Sequence, residues 1–117
     1  MDTPSARRWH LSETNQKGEI MNNKDRFVEW YIGQINPKTG RPFKEGPAKT
    51  YIAYINRLVA AGLVGNNIFD VGADEFMRQI SRAQRRHPAE FAALENHGSL
   101  KNGIKWWKRF LDAQEGR

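Results

Sequence analysis

Apolar residues recur along most of the chain at three- to four-residue intervals, the spacing of an amphipathic helix, and no segment alternates as a strand does. The pattern predicts five helical segments, at about 23–35, 47–62, 74–86, 88–98 and 99–114. A Pro- and Gly-rich stretch, NPKTGRPFKEGP, separates the first two and is predicted to be a loop. The predicted fold class is therefore all-α, a compact bundle of four to five short helices.

Residues suited to helix ends lie at the boundaries of these segments. Asn22 or Asn23 can cap the first helix, because their short side chains accept hydrogen bonds from unpaired backbone N–H groups. Pro47 suits the first position of the second helix, and Gly62 suits its C-terminal cap. Ser99 is the predicted N-cap of the last helix.

The apolar stripes of the helices predict one aromatic-rich core. Large aromatic side chains bury the most area per residue, and the chain has four Trp, three Tyr and six Phe. The connector LVGNNIFDVG is expected to insert apolar residues into this core. The predicted core residues are Phe27, Tyr31, Ile35, Tyr51, Ile55, Leu58, Ile68, Phe69, Val71, Phe76, Met77, Ile80, Ala83, Phe91, Leu94, Leu100, Ile104, Trp107 and Leu111.

The organisation along the chain predicts one domain with two short ends. Residues 1–21 are polar and lack sustained periodicity, which favours a flexible leader, although Trp9 and Leu11 could instead tether it to the core. Residues 22–114 form the helical domain, and residues 115–117 a frayed tail. No apolar run approaches the ~20 residues of a membrane span, and the N-terminus has no apolar signal core. We therefore expect a cytoplasmic chain with no membrane partner.

The chain offers little material for catalysis. It has no cysteine, and its three histidines lack the spacing of a helical zinc site. No Gly-rich phosphate loop, dinucleotide-binding motif or nucleophile elbow occurs. We accordingly predict no enzymatic activity, no metal and no cofactor.

Positive charge is concentrated near the C-terminal end. The formal net charge is +6, and residues 96–117 carry five cations against two acids. Lys101, Lys105, Lys108 and Arg109 recur along the last helix so that they project on one side, where such a stripe can contact phosphates. Asn102 at its start could reach a base edge. The arginines of the third helix are more conspicuous, but nearby acids neutralise that segment.

The start of the second helix is a further predicted anion site. Lys49 and Thr50 are expected in its first turn, behind the loop cations Lys38, Arg41 and Lys44. A helix N-terminus offers unpaired backbone N–H groups to a phosphate. Ordinary capping explains Thr50 equally well.

Five segments carry a family resemblance across about residues 24–112, namely FVEWYIGQI, KTYIAYINRLVAAG, NIFDV, FMRQI and SLKNGIKWWKRFL. Their order resembles the SAM-like core-binding domain that precedes the catalytic domain in tyrosine recombinases and phage integrases. In that family the second and last helices face the DNA duplex. The resemblance thus implies DNA contacts from Lys49, Thr50, Ser99, Lys101, Asn102, Lys105 and Lys108.

The chain also departs from that family. The loop between the first two helices is long, and the catalytic half is missing, including its H-x-x-R motif. The sequence therefore predicts a DNA-binding module, with double-stranded DNA favoured and catalysis left to a possible protein partner. The alternative prediction is a protein-interaction domain, such as a small phage or defence regulator that binds an acidic protein surface.

Overall fold

The computed structural model describes residues 21–116, and within them the predicted all-α bundle is confirmed. The described α-helices are α1 (Asn23–Ile32), α2 (Glu45–Ala60), α3 (Ala73–Arg86), α4 (Pro88–Ala93) and α5 (Ser99–Gln114). A hairpin of two short strands, β1 (Ile35–Asn36) and β2 (Arg41–Pro42), joins α1 to α2, and a single 3₁₀ turn, Ile68–Asp70, precedes α3. The predicted leader lies outside the described residues except for Met21, as do its possible tethers Trp9 and Leu11.

The first helix is three residues shorter than predicted. Asn22 caps it, accepting the Asp25 N–H at 2.9 Å, and Gly33 follows its last residue. The Gln34 side chain donates to the Trp30 carbonyl at 3.1 Å and so takes up one of the unpaired groups at the helix end. The prediction of Ile35 as a core residue is wrong. The chain has left the helix before that position, and 56% of Ile35 is exposed.

The predicted loop contains a short antiparallel hairpin, which corrects the expectation of a chain without strands. Ile35 pairs with Pro42 and Asn36 with Arg41. The turn between them closes through Gly40, whose φ of +71° suits glycine. With only two residues in each strand, the hairpin is too short to show the alternation by which strands are recognised in sequence.

The second helix begins at Glu45, so Pro47 is its third residue rather than its first. Proline is tolerated there because the first four N–H groups of a helix have no partner within the helix. At the other end, Gly62 takes a φ of +76° and the Leu63 N–H bonds to the Leu58 carbonyl at 3.0 Å. This is a glycine-terminated helix end, and the predicted role of Gly62 is confirmed.

An aromatic cluster joins the first helix to the last. Phe27, fully buried on α1, lies 4.9 Å from the Trp107 ring and 5.6 Å from the Phe110 ring, centroid to centroid, and both of these are on α5. Ile68 and Phe69 of the 3₁₀ turn are also buried, which confirms the predicted role of the connector. The remaining fully or largely buried predicted core residues are Tyr31, Ile55, Leu58, Phe76, Ile80, Ala83, Leu100 and Leu111. Those that are only partly buried are Tyr51, Val71, Met77, Phe91, Leu94 and Ile104.

The second and last helices pack against each other in antiparallel directions. Gly103 of α5 is buried against the backbone of Tyr51, while Tyr54, further along α2, accepts a hydrogen bond from Asn96, which precedes α5. The end of α5 also reaches α3, because the carboxylate of Glu115 accepts the Ala73 N–H at 2.8 Å. None of the helices in residues 21–116 has the length and apolar character needed to cross a membrane.

Candidate nucleic-acid interface

The outward side of α5 carries three of the predicted lysines. At about 100° per residue, Lys101, Lys105 and Lys108 lie within about 60° of one another around the helix axis. Lys101 and Lys105 are exposed, and Lys108 is half-buried and bound to the Asp112 carboxylate at 2.6 Å. The stripe predicted from the sequence therefore exists as one face, and Lys105 makes no ion pair with any described residue.

Arg109 lies at the edge of this face and is held by an aromatic ring. Its guanidinium carbon is 4.9 Å from the centroid of Trp106, a cation–π contact. Trp106 itself is half-buried, in edge-on contact with Tyr31 at 5.1 Å and Phe43 at 5.2 Å. Trp106 lies on the flank of α5. Its ring supports Arg109 and packs against the bundle, so it is not a free surface for a partner.

The beginning of α5 differs from the prediction. Ser99 is the first residue of the helix, not its N-cap, and Gly98, expected to end the preceding helix, occupies the cap position with a φ of +83°. The capping group comes from Glu95, whose carboxylate accepts the N–H groups of Leu100 and Lys101, each at 2.8 Å. A carboxylate therefore occupies the place where a helix would bind a phosphate.

The ionisation of Glu95 reflects this capping role. Desolvation raises the pKa of the Glu95 carboxyl, but the N–H donors of Leu100, Lys101 and Asn96 outweigh it, so that the net pKa is lowered. Ser99 and Asn102 are both half-buried beside this capped end. Phosphate contacts from α5 are thus available on its side, at the lysines, rather than at its N-terminus.

Lys49 and Thr50 lie in the second turn of α2 rather than the first, because the helix starts at Glu45. Lys49 binds the Glu45 carboxylate at 2.6 Å, and that hydrogen bond raises the pKa of the lysine. Thr50 is exposed, and as the next residue it points about 100° away from Lys49. Neither side chain is therefore a capping group, and the two do not share one direction.

The structure does bring the two predicted binding segments together. The residue after Thr50 is Tyr51 and the residue after Asn102 is Gly103, and these two residues are in backbone contact. The first turns of α2 and the middle of α5 are therefore neighbours. The charged side chains do not converge, however, because Gly103 lies about 140–160° around the α5 axis from Lys101, Lys105 and Lys108, so these lysines face away from α2.

A cationic hairpin packs beside Trp106 of α5, and the sequence did not identify it as an ordered element. Lys38, Arg41 and Lys44 are exposed, and none forms an ion pair within residues 21–116. Phe43, between two of them, stacks on Tyr31 with ring centroids 4.7 Å apart. Burial raises the pKa of the Tyr31 hydroxyl, and the neighbouring Tyr51 phenol raises it further. The only signal in the sequence was a cluster of cations in a segment rich in proline and glycine.

The arginines of α3 form a separate surface. Arg78 pairs with Glu75, one turn before it, while Arg82, Arg85 and Arg86 are exposed. The last two lie in the final turn of α3, where cations stabilise the helix dipole. A structural role explains their position without a ligand.

Within the described part of the chain, no three His, Asp or Glu side chains come together as metal ligands. The chain matches no family model, no curated protein and no solved structure.

Proposed function

We propose that this chain is a DNA-binding module that contacts double-stranded DNA with the outward face of α5 and the adjoining turns of α2. The observation that carries the proposal is the common direction of Lys101, Lys105 and Lys108, continued by Arg109. Lys101 and Lys108 are seven residues apart, which is about 10 Å along a helix. Three cations over that length suit contacts with successive phosphates of a backbone.

The ion pairs in this region are compatible with such contacts. Lys49 and Glu45 form their pair at the surface, where side chains are strongly solvated and such pairs contribute little to stability. A phosphate can therefore compete for Lys49. Lys108 is more firmly held by Asp112. We expect the exposed Lys101 and Lys105 to supply more of the affinity than the half-buried Lys108.

The proposal also includes a cellular location and a separate chain that carries out catalysis. The resemblance to recombinase core-binding domains supports a module that holds DNA in the cytoplasm while catalysis resides on another chain. The phosphate contacts would provide affinity, and side chains such as Asn102 and Thr50 would provide any sequence preference.

A second proposal is a protein-interaction domain for an acidic partner. The observation in its favour is a pair of exposed apolar side chains, Ile32 and Ile35, 38% and 56% exposed, of which Ile35 is the first residue of the cationic hairpin. An apolar pair rimmed by cations is typical of a protein interface more than of a phosphate-binding surface.

Titration of the whole chain against a labelled duplex of mixed sequence, at about 50 and 200 mM salt, tests the first proposal. We expect the logarithm of the association constant to fall linearly with the logarithm of the salt concentration. The magnitude of the slope should be near the number of phosphate contacts. A single-stranded competitor of the same sequence should compete more weakly. Absence of binding to several duplexes at the lower salt concentration would reject the proposal. Stoichiometric co-purification of an acidic protein would then favour the second.

A further inference from the structure

We propose that the hairpin between α1 and α2 is a second anchoring arm that binds the phosphate backbone of the same duplex as α5. The arm comprises residues 35–44, with the cations Lys38, Arg41 and Lys44. The inference rests on the proposed DNA-binding function and adds a partner contact to it.

The arm is ordered by its own hydrogen bonds. The carbonyl of Asn36 accepts the N–H groups of Thr39 at 3.2 Å and Gly40 at 2.8 Å, and its side-chain oxygen accepts the Lys38 N–H at 2.9 Å. The Thr39 hydroxyl accepts the Arg41 N–H at 3.2 Å. A cationic segment ordered before binding loses less conformational entropy when it meets a ligand than a flexible loop does.

The position of the arm relative to α5 is also determined. Phe43 stacks on Tyr31 and meets the edge of Trp106, so the arm is anchored to the same indole that supports Arg109. Around the α5 axis, Arg109 lies about 40° from Lys105, and Trp106 about 60° further on. Between Lys105 and Trp106 the surface of α5 therefore carries Arg109 and no acidic residue, whereas Asp112, paired with Lys108, lies on the lysine face itself.

The charge of the arm is uncompensated. Its three cations make no ion pair within the described residues, and the nearest acid in the sequence, Glu45, binds Lys49. Such charges contribute little to the fold and are available to a polyanion. A helix face with a cationic arm on one flank suits an elongated, strongly charged surface, and a nucleic-acid duplex has these properties.

The experiment compares three variants of the whole chain, together with Lys105→Glu on α5, in salt-dependent duplex titrations. The first, Lys38→Ala with Arg41→Ala, removes two charges from the arm and no packing contact. The second, Phe43→Ala, keeps every charge but removes the anchor of the arm. The matched control, Arg82→Ala with Arg85→Ala, removes two charges from α3.

We expect the first variant to bind about tenfold or more weakly at about 0.1 M salt, with a salt slope smaller by about 2, because each duplex contact contributes about 0.9 to the slope. Phe43→Ala should also weaken binding although its net charge is unchanged. The α3 control should bind within about threefold of wild type, because its arginines lie outside the interface. Circular dichroism checks that each variant is folded. If Phe43→Ala does not fold, the inference is tested by the variant Lys38→Ala with Arg41→Ala alone.

Two outcomes contradict the inference and separate it from the proposed function. If the arm variant binds like the α3 control while Lys105→Glu loses binding, the arm is not a contact and the DNA-binding proposal stands. If the wild-type chain binds no duplex, the DNA-binding proposal fails and the arm has no duplex to contact.

Discussion

Gly103 of α5 lies directly on the backbone of Tyr51 of α2. A Cβ atom at Gly103 would be 3.1 Å from both the Cβ and the carbonyl oxygen of Tyr51, closer than ordinary van der Waals contact. The close approach of the two helices in the proposed interface therefore depends on the absence of a side chain at this position.

We predict that Gly103→Ala destabilises the protein. Alanine favours a helix over glycine by about 1 kcal/mol, but overpacking against a backbone costs about 1–3 kcal/mol. The expected net loss is about 1 kcal/mol in the free energy of unfolding, measured by urea denaturation. The control is Gly46→Ala, also in a helix, where a Cβ atom would meet nothing within 4 Å. That change should be neutral or stabilising. Equal stability of the two variants would contradict the role assigned to Gly103.

We predict that Glu95→Gln destabilises the protein by about 1 kcal/mol at neutral pH, because it weakens the cap on α5. Since the pKa of Glu95 is lowered in the folded state, its contribution is fully present above the ordinary glutamate pKa. It is lost as the pH falls through the lower, folded-state value. Thermal unfolding at several pH values should thus show the difference from wild type shrinking in acid. Glu90→Gln, at an exposed position on α4 with no hydrogen bond among the described residues, is the control. A difference from wild type that is independent of pH would argue against capping by the carboxylate.

The buried side chain of Gln79 holds the connector onto α3. Its amide oxygen accepts the Gly65 N–H at 2.7 Å, and its amide nitrogen donates to Asn67 at 3.2 Å and Glu75 at 3.0 Å. We predict that Gln79→Met costs about 1–3 kcal/mol, because these groups lose their partner in a partly buried site. Chemical denaturation measures the loss. Gln84→Met, at an exposed position of the same helix, should cost little, and similar losses at both positions would refute this assignment.

We predict that Lys105→Glu weakens duplex binding more than Arg82→Glu does. Both residues are exposed helical cations without an ion pair among the described residues, and both changes alter the net charge by the same amount. Only Lys105 lies in the proposed interface, so its reversal should reduce affinity by about tenfold or more at about 0.1 M salt. Anisotropy titrations measure both. Equal losses would indicate that overall charge, rather than the face of α5, governs binding.

The sequence predicted the helices well where an apolar stripe is long. The final helix ends at Gln114 as predicted and begins within one residue of its predicted start, and Leu100, Trp107 and Leu111 are buried as expected. The wrong predictions lie where a helix ends although the apolar spacing in the sequence continues. Ile35 continued the spacing of the first helix, but Gly33 and Gln34 end the helix before it.

The sequence predicted which charged residues belong to the candidate site, but it did not predict all of the contacts that position them. The common direction of the α5 lysines follows from helical spacing alone. The Glu95 cap does not, because the carboxylate bonds to N–H groups five and six residues further on, outside the usual capping pattern. The anchoring of the hairpin also escaped prediction. It depends on a contact between Phe43 and Trp106, which only the folded chain brings together.

The bond between Glu115 and the Ala73 N–H spans 42 residues, and Phe27 meets Trp107 from the opposite end of the described chain. Native contacts of such high sequence separation require a large loop to close before they stabilise anything. We therefore expect folding slower than that of helical proteins with mostly local contacts. On the ribosome, the aromatic contacts of α1 with α5 cannot form until α5 has emerged.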